Sequence, residues 1–456
     1  MNISKFFTEV IDYSMGCTEP AAVGLSVATA FSALNGRLPS WLDSQSINNT
    51  LINDFKIARS DIKDLNIRID KDTFRNAINV SIPNSEGLKG PINAALLGLF
   101  SDSNRKLELF ENSNNIPLEK VKEIIHSNRC KIIPQFDWHG LRIDAELKTK
   151  NHSSLVRIQD GHSNITLIQV DKNKLFENKL NDVNYCSPLS QLKSLSIKDM
   201  IKIIEELPDE TLDLLKESLK VNFKAFEESK DALFKDPTNS LGLKLSELIN
   251  EEFLPDDFLN NAKYKVVTAI EGRMKGLSLQ IMTCAGSGNM GLTVSLTMDV
   301  LNKQFKKGES KLLRALALTH LITNFASTYS GYISALCGCS IKAGIGLAVG
   351  ILYYFLPEDL SIDEKLIKFG AAINNVIESL TGVICDGAKK GCALKVISSI
   401  DAAITSAFLA LKTESLDYCD GIINKDPIIS LKNIEKISKA MTDVDNVVIK
   451  KIISKE

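Results

Sequence analysis

Apolar and polar residues alternate along this chain with two different periods, and the change of period divides it. Near the start the apolar positions fall at helical spacing and predict two helices. The second begins near Thr18, with Pro20 in its first turn, and ends at Asn35-Gly36, a common stop signal. Cys17 therefore stands at a helix N-terminus. From about Leu65 to Lys172 the period drops to two, so residues 65–69, 77–82, 141–144, 155–158 and 165–168 are predicted as strands. The apolar run over 92–100 predicts a helix covering that sheet. After Cys186 the helical period returns and persists, over 197–206, 209–230 and 240–252, and then over nearly everything from residue 261 onward.

These elements predict an α+β fold. A mainly antiparallel α/β layer over residues 1–186 packs on a larger all-helical domain over 187–456, in which 187–260 form peripheral amphipathic helices. A chain of 456 residues is long enough for two such domains. A net charge of −2 gives no electrostatic footprint for nucleic acid or anionic lipid, and a small zwitterion fits that balance better. Residues 1–10 carry Lys5 and Glu9 and lack the apolar core of an export signal, so a cytoplasmic location is expected. There the nine cysteines stay reduced. Between Arg314 and Lys342 no charged residue occurs, a length that spans a bilayer, but His320, Thr323, Asn324 and Ser327 favour a buried helix over a membrane span. A homo-oligomer is compatible with all of this.

Glycine-rich punctuation interrupts apolar helical sequence at 284–291, 337–340 and 382–392, and each interruption carries cysteine. Glycine inside a helix costs about 1 kcal/mol relative to alanine, so such runs mark backbone that must bend or approach something closely. The first loop offers backbone N–H groups, Ser287 and Asn289 to an anion at the start of the following helix. Arg273, shortly before it, can grip a carboxylate with two parallel hydrogen bonds. Six residues separate Cys385 from Cys392, unlike the gaps of ferredoxins or zinc ribbons, so spacing alone leaves both a metal site and buried thiols open. A helix start at Cys392, with Lys389 and Lys390 nearby, predicts thiolate there.

Several motifs occur together: Gly16-Cys17-Thr18-Glu19-Pro20, Ile82-Pro83, Gly161-His162-Ser163-Asn164-Ile165 and Glu271-Gly272-Arg273-Met274 ahead of Gly286-Ser287-Gly288-Asn289. Cys337-Gly338-Cys339, Cys385-Asp386-Gly387-Ala388 and Gly391-Cys392-Ala393-Leu394-Lys395 follow. In this order they resemble the L-cysteine desulfidase family, which is related to the α-chain of bacterial iron–sulfur L-serine dehydratases. The resemblance implies a 4Fe-4S cluster on Cys339, Cys385 and Cys392, with Cys337 as the alternative to Cys339, and no pyridoxal phosphate. It implies a lyase that converts L-cysteine to pyruvate, ammonium and hydrogen sulfide at an open iron acting as a Lewis acid.

On the same grounds Cys17 is a base or a fourth cluster ligand, its helix-terminal setting predicting a lowered pKa. His162 is an acid, a base or a hydrogen-bond partner. Arg273, Ser287 and Asn289 would hold the substrate carboxylate. L-serine dehydratase on the same cluster is the alternative activity. Outside the enzymes stand a helical binding protein with zinc on Cys337, Cys339, Cys385 and Cys392, and a metal-free scaffold with buried thiols.

Overall fold

A computed structural model describes residues 3–453 apart from 53–54, 118, 120, 122–128, 139, 179–190, 236 and 417–419, so Cys186 and Cys419 lie outside the described residues. The chain opens with α1 (Ile3–Val10), which buries Phe6, Phe7 and Val10, and passes through the short strand β1 (Tyr13–Met15) into α2 (Thr18–Leu34). All of α2 but Ser32 is buried. It lies between the sheet and a second helix and has no polar face to give up.

The sheet comprises β2 (Asp64–Asp70), β3 (Cys130–Gln135), β4 (Arg142–Lys148), β5 (Ser153–Gln159), β6 (Ile165–Val170) and β7 (Asn173–Glu177) in the order β3-β2-β4-β5-β6-β7. Only β2 and β3 run parallel, so the layer is mainly antiparallel, as its alternation predicted. In β5 buried positions alternate strictly, which is the period-two signal made physical. β3 was not predicted. It holds Pro134 at the sheet edge, where a missing N–H is tolerated.

Residues 77–82 form no strand, contrary to their alternation. Asp70 caps α3 (Lys71–Ala77) by accepting from the backbone N–H groups of Asp72 and Thr73, and this turns the chain into a helix. Val80 and Ile82 are buried by the irregular segment after it, in which only Ser81 bridges to Lys89. The expected helix over 92–100 is α4 (Gly90–Gly98), packed on α2.

The helical body contains α5 (Ile197–Glu205), α6 (Asp209–Lys235), α7 (Leu241–Asn250), α8 (Phe258–Met274), strand β8 (Gln280–Met282), α9 (Gly288–Phe305), α10 (Glu309–Ser330), α11 (Ala343–Phe355), α12 (Ile362–Leu380), α13 (Cys392–Leu411), α14 (Pro427–Ala440) and α15 (Thr442–Ile453). β8 pairs antiparallel with β1, and Asn222 of α6 donates to the Met282 carbonyl and accepts from its N–H. Gly346 and Gly350 let α11 lie directly on Thr319 and Thr323 of α10. The polar residues of α10 turn inward and bond the preceding turn, Thr323 to the Thr319 carbonyl and Asn324 to that of His320. The segments Gly338–Phe355 and Cys392–Leu411 are long and apolar enough to cross a membrane; the first is largely buried within the protein and the second keeps one face exposed.

The termini cross between the layers. Phe6 and Phe7 of α1 belong to the core of the helical body, while Ile449 of α15 belongs to the core of the α/β layer. Asp445, also on α15, is buried against Lys71 at 3.1 Å and against Arg75, both on α3.

Candidate functional site

All three glycine-rich loops meet at one end of the helical body. The Cys337 N–H donates to the Val383 carbonyl at 2.8 Å and the Cys385 N–H to the Ala335 carbonyl at 2.7 Å, which pins two of the loops together. Gly338 packs on Met290 of the 284–291 run; a Cβ there would lie 3.5 Å from its sulfur. Cys337 precedes a π-helical turn, Gly338–Lys342, a distortion found often at functional sites. Cys337, Cys339, Cys385 and Cys392 thus share one electrostatic environment: Cys339 is hydrogen-bonded to Cys337 and feels both other thiols.

Ion pairs hold the loop between Cys385 and Cys392. Asp386 binds both Lys389 and Lys395, Lys390 lies 3.2 Å from Glu271, and Gly387 sits with φ of 90° against the Arg75 carbonyl, where a Cβ would clash. Lys342 is buried and donates to the carbonyls of Gly331 and Tyr332.

The thiolate predicted at Cys392 falls elsewhere. Burial pushes the Cys392 thiol up to about 12, because Lys389 and Lys390 turn to Asp386 and Glu271 instead. Cys337 is drawn down to about 6 by the hydrogen bond it receives from Cys339, helped by Lys395 and Lys342 against the cost of burial. Burial also raises Cys385, with Arg75 opposing.

The facing wall comes from the α/β layer. Cys17 occupies the N-cap of α2, as predicted, and its Sγ donates to Glu19 Oε2 at 2.8 Å. Burial and the Glu19 charge drive its pKa well up although Arg273 opposes them, so the lowered value expected from the helix terminus is not what this setting produces. Glu19 Oε1 accepts from Asn76 Nδ2 at 2.8 Å, and the same amide's Oδ1 lies 3.6 Å from Cys385 Sγ. Asn76 therefore joins the two walls. His162, in the turn between β5 and β6, places Nε2 3.9 Å from Glu19 Oε1.

Against the burial penalty, His162 and the hydrogen bonds from Cys17 and Asn76 keep the Glu19 carboxyl below its usual range. Burial, with Arg273 adding to it and Glu19 opposing, holds His162 below the ordinary imidazole range, so it is neutral near pH 7.

The loop before α9 completes this wall. Arg273 donates to Asn289 Oδ1 at 2.7 Å. A Cβ at Gly286 would stand 3.3 Å from His162 Nδ1, and one at Gly288 would stand 2.7 Å from the Arg273 guanidinium, so both glycines are needed for the approach. Ser287 instead caps α9, accepting from the Met290 N–H at 3.4 Å, so that helix terminus already has its own hydroxyl. Buried His162 Nε2 and Arg273 Nε and Nη2 make no hydrogen bond among the described residues.

The sequence profile described as the serine dehydratase alpha chain matches residues 119–450. The chain belongs to that family. It is 30% identical over 452 residues to a UPF0597 protein of Desulfatibacillum aliphaticivorans, covering 97% of this chain and 96% of the relative. To a UPF0597 protein of Clostridium botulinum (strain Loch Maree / Type A3) it is 31% identical over 426 residues, covering 93% and 90% of the two chains. A UPF0597 protein of Elusimicrobium minutum is 28% identical over 440 residues, at 96% and 95% coverage. In this serine dehydratase-like protein the residues singled out by sequence lie on the two walls just described. Glu19, Asn76, Arg75, Lys342 and Lys395 were missed as participants. Glu19 carried a signal, an acid at the start of an apolar helix; Arg75 and Asn76 carried none.

Proposed function

We propose that this family member is a lyase that eliminates hydrogen sulfide from L-cysteine, with a 4Fe-4S cluster held by Cys339, Cys385 and Cys392 and with Cys337 as the alternative to Cys339. The observation that carries the reading is the Asn76 bridge, which sets a wall of thiols against a wall of acid–base groups. The donor set fits such a centre: four thiols share their site with Arg75, Lys342 and Lys395, cations that suit a polyanionic group. A bound cluster supplies Lewis acidity toward the β-sulfur.

The protein's own groups do the rest. Arg273, steadied by Asn289, holds the substrate carboxylate with the N–H groups that it leaves free. Neutral His162 takes the α-proton, and the Glu19 carboxylate beside it favours the imidazolium that results. Cys17, kept protonated by burial, is suited to give a proton to the departing sulfide rather than to act as the base. The aminoacrylate released takes up water to give pyruvate and ammonium.

A second reading, L-serine dehydratase, is favoured by the family match itself, since water and sulfide are both β-leaving groups. Anaerobically purified protein assayed in parallel on the two amino acids, with iron and acid-labile sulfide measured, decides. Iron with faster pyruvate release from cysteine is expected; faster release from serine selects the second reading, and absence of iron or of pyruvate from either removes both.

A further inference from the structure

Glu19 is a carboxylate only 8% exposed, and its two oxygens are used unequally. Oε2 receives Cys17 Sγ at 2.8 Å and Thr18 Oγ1 at 3.2 Å. Oε1 receives Asn76 at 2.8 Å, and His162 Nε2, which has no hydrogen-bond partner among the described residues, stands 3.9 Å away. Oε1 thus keeps acceptor capacity on the side that faces His162, a cradle for a donor with several hydrogens. Arg273 presents the opposite character, a buried cation with Nε and Nη2 unused, and its charge is felt at both Cys17 and His162. One buried anion and one buried cation with free capacity in the same site complement a zwitterion, and burying either without a counter-charge is costly.

We propose that Glu19 binds the α-ammonium group of the substrate while Arg273, with Asn289, binds its α-carboxylate, so that Glu19 sets the demand for an unblocked amino group. This rests on the β-elimination reading and adds a specificity residue to it. Cα is bonded to the nitrogen held in the cradle, so the same contact brings its hydrogen to His162. Peptides with N-terminal cysteine keep the ammonium but lose the carboxylate, N-acylated cysteine loses the ammonium, and both are refused.

The test compares L-2-aminobutyrate with butyrate, which differ by the α-ammonium alone and lack a β-leaving group. Binding to anaerobically purified protein is measured by calorimetry and, independently, by competition against L-cysteine turnover. Wild type is expected to prefer the amino acid by about ten- to a hundredfold, the range of a charge-assisted hydrogen bond. Glu19→Gln abolishes the preference and leaves butyrate binding unchanged, and Glu19→Asp, which keeps the charge, restores part of it. Equal binding of both ligands by wild type, undetectable binding of the amino acid, or an equal loss of both ligands in Glu19→Gln overturns the assignment. Should Glu19→Gln not fold, the wild-type ratio decides. Should the calorimetric preference persist in a protein that releases no pyruvate, the lyase reading fails and the zwitterion site stands.

Discussion

The two walls of the site are stiffened in opposite ways. On the helical body almost every charge near the cysteines is spent on the protein itself: Asp386 on Lys389 and Lys395, Lys390 on Glu271, Lys342 on two carbonyls. On the α/β wall and the loop beside it, His162 and Arg273 keep buried nitrogen atoms that no group among the described residues satisfies. Under the proposed reading the internally paired wall holds the resident group, and the wall with unused donors and acceptors meets the ligand that comes and goes.

The largest effect should come from breaking the resident wall alone. Cys385→Ser is expected to lower turnover about a thousandfold or more, since a Lewis-acidic centre contributes several kcal/mol to the transition state. Iron content should fall with it while the far-ultraviolet circular dichroism stays that of wild type. An iron-replete and active variant would dissolve the distinction between the walls. Asn76→Ala cuts the link between them. It removes a hydrogen bond to a buried carboxylate, an effect of about 1.5–3 kcal/mol, so kcat/KM should fall about ten- to a hundredfold with iron content unchanged. A parallel loss of iron would mean that the walls are not separable.

The remaining effect concerns pH and touches neither wall. His320, on α10 within the helical body, is fully buried, and burial lowers its pKa to about 3. Its folded pKa lies below the unfolded value of about 6.5, so between those limits the unfolded chain binds a proton that the folded chain refuses. Stability therefore falls as pH drops below about 6.5, by up to about 1.4 kcal/mol per unit, and stops falling near 3 on this account. Glu19 behaves differently: its lowered folded pKa gives stability that is present above 4.5 and is lost only as pH falls through the folded value. His320→Gln should flatten the denaturation midpoint between pH 6.5 and 4.5; an unchanged slope would mean that His320 takes up its proton without unfolding.

Local signals made much of this readable in advance. Strand β5 alternates because it truly has two faces, and the glycine-rich interruptions mark real close approaches at Gly286, Gly288 and Gly387. Residues 77–82 alternate for another reason, a helix end followed by an irregular buried segment, and no pattern of six residues separates the two cases. Lys71, Asp72 and Arg75 would be placed on the surface by composition, yet all are buried because Asp445 lies against them, some 370 positions later in the chain. The lowered pKa values expected at Cys17 and Cys392 are raised instead for a related reason. A helix terminus favours the anion, but desolvation depends on what packs over it, and that packing is tertiary.

The crossing of the termini bears on how the molecule is made. Asp445 anchors Arg75, whose carbonyl backs the loop carrying Cys385, so a helix some 370 positions further along the chain braces the wall that carries the thiols. Vectorial synthesis cannot finish the α/β layer early and add the rest afterwards. A chain lacking residue 445 would leave Arg75 with Asp72 and the Ser334 carbonyl but without the buried carboxylate that ties it to α15.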